Sequence, residues 1–469
     1  MSATLIERTA RDLRELMVTK QVSAREVLQA HLDRIDAVNP IVNAIVTRSD
    51  EIARRAADRA DAAVLRGENL GPLHGLPMAH KDLADTAGIR TTYGSTLYAE
   101  NVPTVDALIV QRMKAAGAVT VGKTNVPEFG AGIHSTNEVF GPTRNPYDPT
   151  RAAGGSSGGA AAALAARMVP LADGSDDGGS LRNPGTFCNV VGLRPSVGLV
   201  GSWPNADPFW ALAVEGPMAR TVSDLTMLLS VLGQPDPRCP FSAHSAGFAD
   251  VPLERDFSEL TVAWSPTLDG QLRVDAAVVA AMTPARAALE SVTAGVAEAA
   301  PDMTGVDAAY RTLRSFNRLF GFGDQQARHP EAFGPRMTET IAYGRTRTAD
   351  DILSAHRERA AFHSRLMSFL AEHHYLITTV TQVLPQPVED LWATQVDGEP
   401  TSSYLDSMRS TYWFTLAGVP ALSLPAGFSE SGLPVGVQVI GRPGDDLGVL
   451  QLAAALEGVM PAGQRQPSL

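Results

Sequence analysis

Through residues 1–67 apolar side chains recur at helical spacing among charged ones, as in LIERTARDLRELMVTKQVSAREVLQAHLDRI, and the pattern predicts helices with a polar outer face. Ser23 stands where an N-cap would open a helix ending near Val38, and a second helix is expected over 50–66. The period then changes. GPLHGLPMAHKD, residues 71–82, is broken twice by glycine and proline and runs into a short apolar strand that ends at Lys81. Residues 105–116 read as a helix, AVTVG as a strand, and 126–151 as a long loop rich in Gly, Pro and Asn. Residues 160–168 form a small-residue helix and VPLAD a strand. Beyond Gly192 the expected elements are a strand over 197–200, a helix over 221–232, a Pro-rich link to about Pro252 and the strand LTVAW. An alanine-rich helix is expected over 275–300, and 305–345 is a weakly patterned, aromatic-bearing insert. A long helix over 348–373 leads to the buried strand LITTV. A helix over 403–417 precedes two closing strands, PALSLPAGF and GLPVGVQVIG, joined by a Gly-containing turn. There is no internal repeat.

This alternation of strands and helices points to an α/β fold, and a chain of 469 residues in that class often forms one unit around a single large sheet. Hydrophobic residues are 44% and charged residues 19% of the chain, with no apolar run long enough to cross a bilayer. The N-terminal stretch lacks the apolar core of a secretory signal, so a cytoplasmic protein is expected. Cys188 and Cys239 can make no disulfide framework and lack metal-ligand spacing; packed thiols are the expectation. The formal net charge of −12 argues against a broad nucleic-acid surface.

The basic residues are more telling. Only four are lysines, Lys20, Lys81, Lys114 and Lys123, against 35 arginines. An arginine stays charged, whereas a lysine in a dry site can lose its proton and act as a base. Two motif matches fail on mechanics. GAVTVGKT, residues 117–124, fits the phosphate-loop expression, but its middle alternates as a strand and Pro127 interrupts the helix that should follow. Gly154 to Gly158 fits the nucleophile elbow G-x-S-x-G, but polar, turn-rich RNPYDPTRAA stands where an apolar strand should precede it. The stretch around which the chain is organised is GGSSGGAAAALAARMVPLADGSDDGGSLRN, residues 154–183, which sets Ser156 and Ser180 among glycines at either end of a helix and a strand. Gly178 and Gly179 let the backbone turn just before Ser180, and a row of N–H donors there suits an oxyanion.

Residues 75–82, GKTN at 122–125, RNP at 144–146, GGSSGG at 154–159, DDGGSLRNP at 176–184, GLRPS at 192–196 and the terminal GVPALSLPAG and GLPVGVQVIG together resemble the amidase signature family over nearly the whole chain. The closing third, YLDSMRSTYWFTLAGVPALSLPAGF, is similar to the subgroup with cyclic nylon-oligomer hydrolases and urethane-cleaving amidases. The resemblance implies one large domain with a central mixed, twisted sheet covered by helices on both faces. Its expected parts are N-terminal helices over 1–67, a catalytic core over 68–235, a variable insert and pocket region over 236–345, and a return to the core over 346–469. It implies Ser180 as nucleophile, Ser156 as a bridging serine often preceded by a cis peptide bond, and Lys81 as terminal base. The N–H groups of Asp177, Gly178, Gly179 and Ser180 would form the oxyanion hole, with Ser157, Asp176 and Arg182 in support. Lys81 can serve only if neutral, which requires a desolvated pocket.

One departure bears on substrate. Asp177 stands where the family commonly has a neutral residue, and its carboxylate is expected to disfavour anions. Gly130, Ala131 and Gly132 fall where the family places pocket-lining residues, and their small size suggests room for a broad acyl or aryl group. Trp210, Tyr412, Trp413 and Phe414 are candidate walls. The expected activity is hydrolysis of uncharged, fairly hydrophobic amides, aryl amides, esters or carbamates without metal or cofactor. The partners expected are that small molecule alone, with no nucleic acid, no membrane, and a homodimer left open. The rival reading is the A-type chain of an amidotransferase, working with protein partners on a tRNA-bound acceptor.

Overall fold

Eleven strands join in one mixed sheet in a computed structural model that describes residues 2–242 and 252–469. Their spatial order is Ile45–Arg48, Val119–Thr124, Pro77–Lys81, Leu171–Asp176, Val214–Ala219, Val191–Arg194, Ala421–Phe428, Pro434–Ile440, Leu376–Thr379, Phe257–Trp264 and Thr293–Glu298. Pairing is parallel among Val119–Thr124, Pro77–Lys81 and Leu171–Asp176, and again among Leu376–Thr379, Phe257–Trp264 and Thr293–Glu298. The middle of the sheet is antiparallel. The two inner parallel strands Val119–Thr124 and Pro77–Lys81 are buried at every position, because helices flank the sheet and leave them no wet face. The result is a single α/β domain.

Several elements follow directly from local chemistry. Ser23 opens the Ala24–Val42 helix with a reciprocal capping box to Glu26, and that helix runs past the expected end at Val38, carrying Pro40 within it. Asp50–Arg66, Val222–Leu232 capped by Thr221, and Ala349–His373 capped by Thr348 match their patterns. GAVTVGKT is a strand, not a phosphate loop. Lys123 is buried, bonding Ala84 O and Thr86 Oγ1.

Four expectations need correction. The strand beyond the glycine turn is Val191–Arg194, not 197–200, because it is Leu193 and Gly192 that meet Leu422 and Ser423 of the neighbouring strand. The alanine-rich run 275–300 is two short helices, Ala276–Ala281 and Thr283–Val292, followed by the edge strand Thr293–Glu298, where pairing with Phe257–Trp264 overrides alanine's helix preference. The weakly patterned insert 305–345 contains the 23-residue helix Val306–Arg328 and a second helix, Pro335–Arg345. Residues 403–417 split into a short 3₁₀ turn, Tyr404–Ser407, and the helix Arg409–Ala417. The Pro-rich link expected up to Pro252 lies partly outside the described residues. Among the described residues no helix is long and apolar enough to cross a membrane.

Candidate active site

Lys81 closes the Pro77–Lys81 strand, and its backbone is fixed from the next strand. Asp173 Oδ2 accepts from its N–H at 3.1 Å, while Asp173 Oδ1 pairs with His80 Nδ1 at 2.8 Å. The side chain, 1% exposed, ends among hydroxyls: Nζ lies 2.8 Å from Ser156 Oγ, 2.8 Å from Ser157 Oγ, 3.0 Å from Ser175 Oγ and 3.2 Å from Ser175 O. Burial in this dry site pulls the Lys81 ammonium down to about 7, helped by Arg318 and opposed by Asp176, Asp173 and Glu215. A neutral amine donates two hydrogen bonds and offers one lone pair, so one of the surrounding hydroxyls can give it a proton.

Ser156 and Ser157 stand at the mouth of the Gly158–Ala165 helix, whose residues are all buried. The Gly155–Ser156 peptide is cis. Ser157 N–H donates to Ser180 O at 3.1 Å, which ties the first serine pair to the second glycine-rich turn. The structure therefore brings Lys81, Ser156, Ser157 and Ser180 to one place from separate segments of the chain.

The turn before Ser180 is held from both sides. Asp176 is fully buried and takes Gly179 N–H at 2.7 Å, Leu181 N–H at 3.2 Å and the Arg182 guanidinium at 2.9 and 3.0 Å, with Arg194 at 3.5 Å. Burial alone would raise its carboxyl, but Arg182 and Arg194 outweigh that and hold it well below the usual carboxylate range. Arg182 also reaches Thr411 O, Thr415 Oγ1 and Gln438 Oε1. On the other side, Tyr310 Oη donates to Asp177 O at 2.7 Å and Thr411 Oγ1 to Gly178 O at 2.7 Å. Across a trans peptide the carbonyl and the following N–H point in opposite directions, so the bond to Tyr310 turns Gly178 N–H away from the helix that carries Tyr310. Gly178 and Ser180 N–H have no acceptor among the described residues, whereas Gly179 N–H is occupied by Asp176. The expected four-donor hole thus has a donor already engaged. Gly179 sits at φ +126°, and a Cβ there would lie 2.3 Å from Thr411 Oγ1, so only glycine fits.

The Asp177 carboxylate does not face the site as a free negative charge. It accepts from Arg318 Nη2 at 3.0 Å and Trp210 Nε1 at 3.3 Å, with Arg314 Nε at 3.6 Å. Two guanidiniums overcompensate one carboxylate, which removes the ground for expecting anions to be repelled here. Tyr310, Arg314, Arg318 and Phe322 follow one another at intervals of four on the Val306–Arg328 helix. They form one stripe. That spacing is the available signal in the sequence, hidden because two arginines interrupt the aromatic pair Tyr310 and Phe322.

The expected pocket residues divide. Gly130 does border the site: at φ +71°, a Cβ there would meet Leu83 Cδ1 at 2.9 Å and Ser156 Oγ at 3.5 Å. Ala131 is buried in a small cluster with Phe129, Phe333, Met337 and Ile341. The space beside Gly132 is not open, since Arg336 Nη1 would lie 2.5 Å from a Cβ there. Trp413 and Phe414 are core residues, and Tyr412 stacks on Tyr310 at 4.2 Å with its hydroxyl on Asp307. The open space lies elsewhere. A cavity of about 460 Å³ is lined by Leu83, Tyr93, Tyr98, Phe129, Phe322 and Ser175 among others, and Ser175 is the residue whose O and Oγ both reach Lys81.

The chain is similar to known proteins over almost its whole length. A family model described as Amidase matches residues 26–450. An acylamidase of Rhodococcus erythropolis is 34% identical over 464 residues, covering 98% of this chain and 97% of that one. The A-type chain of the glutamyl-tRNA(Gln) amidotransferase of Moorella thermoacetica is 36% identical over 491 residues, covering 98% of each. The structure of 6-aminohexanoate cyclic dimer hydrolase complexed with substrate superposes with a TM-score of 0.88 at 30% identity, covering 99% of each chain. The chain belongs to the amidase signature family and is an amidase-type hydrolase.

Proposed function

We propose that the chain hydrolyses the C–N bond of fairly hydrophobic amides, uncharged about the scissile carbonyl, through an acyl-enzyme on Ser180. Ser180 Oγ attacks the carbonyl carbon as its proton passes by way of Ser156 to the neutral Lys81 amine. The developing oxyanion takes the N–H groups of Gly178 and Ser180. Collapse expels the amine, which receives the proton back along the same path, and a water repeats the sequence to release the acid. A serine hydroxyl is a weak nucleophile unless a base stands within hydrogen-bond reach, directly or through a relay. The observation that carries the reading is the 2.8 Å contact of a buried, deprotonation-prone Lys81 Nζ with Ser156 Oγ, one residue from the Ser157 that holds Ser180. Esters and carbamates fit the same chemistry.

The amidotransferase relatives favour a second reading, in which the chain acts with protein partners on a tRNA-bound acceptor. Hydrolysis of an acyl 4-nitroanilide by the isolated chain, without partner or ATP, separates the two. Turnover supports the stand-alone amidase, and activity only after partners are added supports the other.

A further inference from the structure

The cavity beside Ser175 has a chemical character that the hydrolytic machinery does not use. Tyr93, Tyr98, Phe129 and Phe322 line it, with Tyr93 edge-on to Tyr98 at 4.9 Å and Phe129 against Phe322 at 4.7 Å. Its lining includes two carboxyl groups, Asp85 and Glu215, and no lysine or arginine. Asp85 Oδ1 takes the Tyr93 hydroxyl at 2.5 Å. Glu215 is the residue paired with Ser175 across the antiparallel strands Leu171–Asp176 and Val214–Ala219. Directly paired side chains rise from the same sheet face, so Glu215 shares the face from which Ser175 Oγ reaches Lys81. Its Oε1 takes Ser202 Oγ at 3.2 Å, and its Oε2 has no hydrogen-bond partner. Lys81 and Arg112 act on Glu215 through space without bonding it: the Lys81 amine is held by Ser156, Ser157 and Ser175, and the Arg112 guanidinium bonds the carbonyls of Leu232 and Gln234. Burial, reinforced by Asp173, pushes the Glu215 carboxyl up to about 8.

We propose that this cavity receives an ammonium group of the substrate, with Glu215 as its counter-ion and the four rings as its walls. A cation over aromatic faces in a desolvated site is attracted by the ring quadrupoles, and the Glu215 carboxyl, which burial keeps protonated near neutrality, releases that proton to solvent as the ammonium arrives and pairs with it. The amide cleaved is then uncharged where it reacts and cationic at the end of its acyl chain. The inference rests on the amidase reading for the word substrate, but the cation site itself does not.

The test has a binding arm and a turnover arm, both on the whole chain. In the first, binding of pentylammonium is compared with that of 1-pentanol by calorimetry. The ammonium is expected to bind at least about tenfold more tightly, and Glu215→Gln to erase the difference. In the second, kcat/KM is compared between the 4-nitroanilides of 5-aminopentanoic and hexanoic acids, which differ in a terminal ammonium against a methyl. The wild-type ratio is expected to favour the ammonium by about tenfold and to fall towards unity in Glu215→Gln. Ammonium binding without turnover of either anilide leaves the site standing and removes the amidase reading. Equal binding of the two probes, or a preference that survives Glu215→Gln, overturns the proposal.

Discussion

Asp177 and Arg318 are 141 residues apart in the chain and meet at 3.0 Å beside the glycine turn that precedes Ser180. The pair explains how an acidic residue is accommodated there: Arg318 and Arg314 come from one helix face and neutralise it. Asp177→Asn leaves both guanidiniums without their counter-charge, and stranding a partly buried charge is strongly destabilising. The expected outcome is a melting temperature lower by several degrees and a kcat reduced by roughly tenfold or more as the turn loosens. Because Arg318 lowers Lys81, removing the opposing carboxylate also moves the acid limb of the pH–rate profile to lower pH. Calorimetry and a pH profile of the variant check all three.

Asp176 anchors the same turn from beneath. Replacing it with asparagine leaves the buried guanidiniums of Arg182 and Arg194 unpaired, at a cost of about 3–5 kcal/mol. Its folded carboxyl lies below its unfolded value, so its contribution is present above the ordinary carboxylate range and is lost as pH falls through and below it. Urea unfolding midpoints are therefore expected to drop sharply in Asp176→Asn near neutrality and to converge with the wild type in acid.

Lys81 acts in the same direction at higher pH, although burial rather than pairing is the cause. Its folded value of about 7 lies below that of an unfolded lysine, so between the two the unfolded chain holds the extra proton and stability rises with pH. Activity follows the same group, falling on the acid side with a midpoint near 7 as the amine becomes charged. Lys81→Met is expected to abolish turnover while flattening the rise in urea midpoint on going from neutral to alkaline pH. A rise of wild-type size in the variant assigns that titration to another group.

Ser156→Ala removes the hydroxyl proposed to relay the proton from Ser180 to Lys81 while leaving Lys81 its contacts to Ser157 and Ser175. The fold is expected to persist and kcat to fall by roughly a thousandfold or more, within the range for losing an assisted proton transfer. Ser157→Ala is expected to be milder, since it supports Lys81 without lying between the reacting groups. Steady-state kinetics on one anilide rank the two.

The parts of the site legible in the sequence are those built from contiguous, chemically unusual residues. Glycines bracket the Ser156–Ser157 pair and precede Ser180, and Lys81 is one of four lysines. What escapes such a reading is tertiary. Tyr310, Arg314 and Arg318 lie on a helix that buries Val306, Ala309 and Leu313 as well, and nothing in their own segment reveals that they meet Asp177, more than 130 residues earlier in the chain. Glu215 lies on the strand Val214–Ala219, whose one glycine and one proline weaken any local strand signal and whose identity comes from pairing on both edges. Gly132 suggests open space in the sequence because nothing local reveals that Arg336, far along the chain, fills it.

The central claim is that Ser180 is the nucleophile and depends on Lys81. Reaction of the whole chain with a fluorophosphonate at neutral pH, followed by peptide mapping, tests both halves together. The account predicts a single adduct on Ser180 in the wild type and labelling slower by about a hundredfold or more in Lys81→Ala. An adduct on a different residue, or labelling of Lys81→Ala at the wild-type rate, contradicts it.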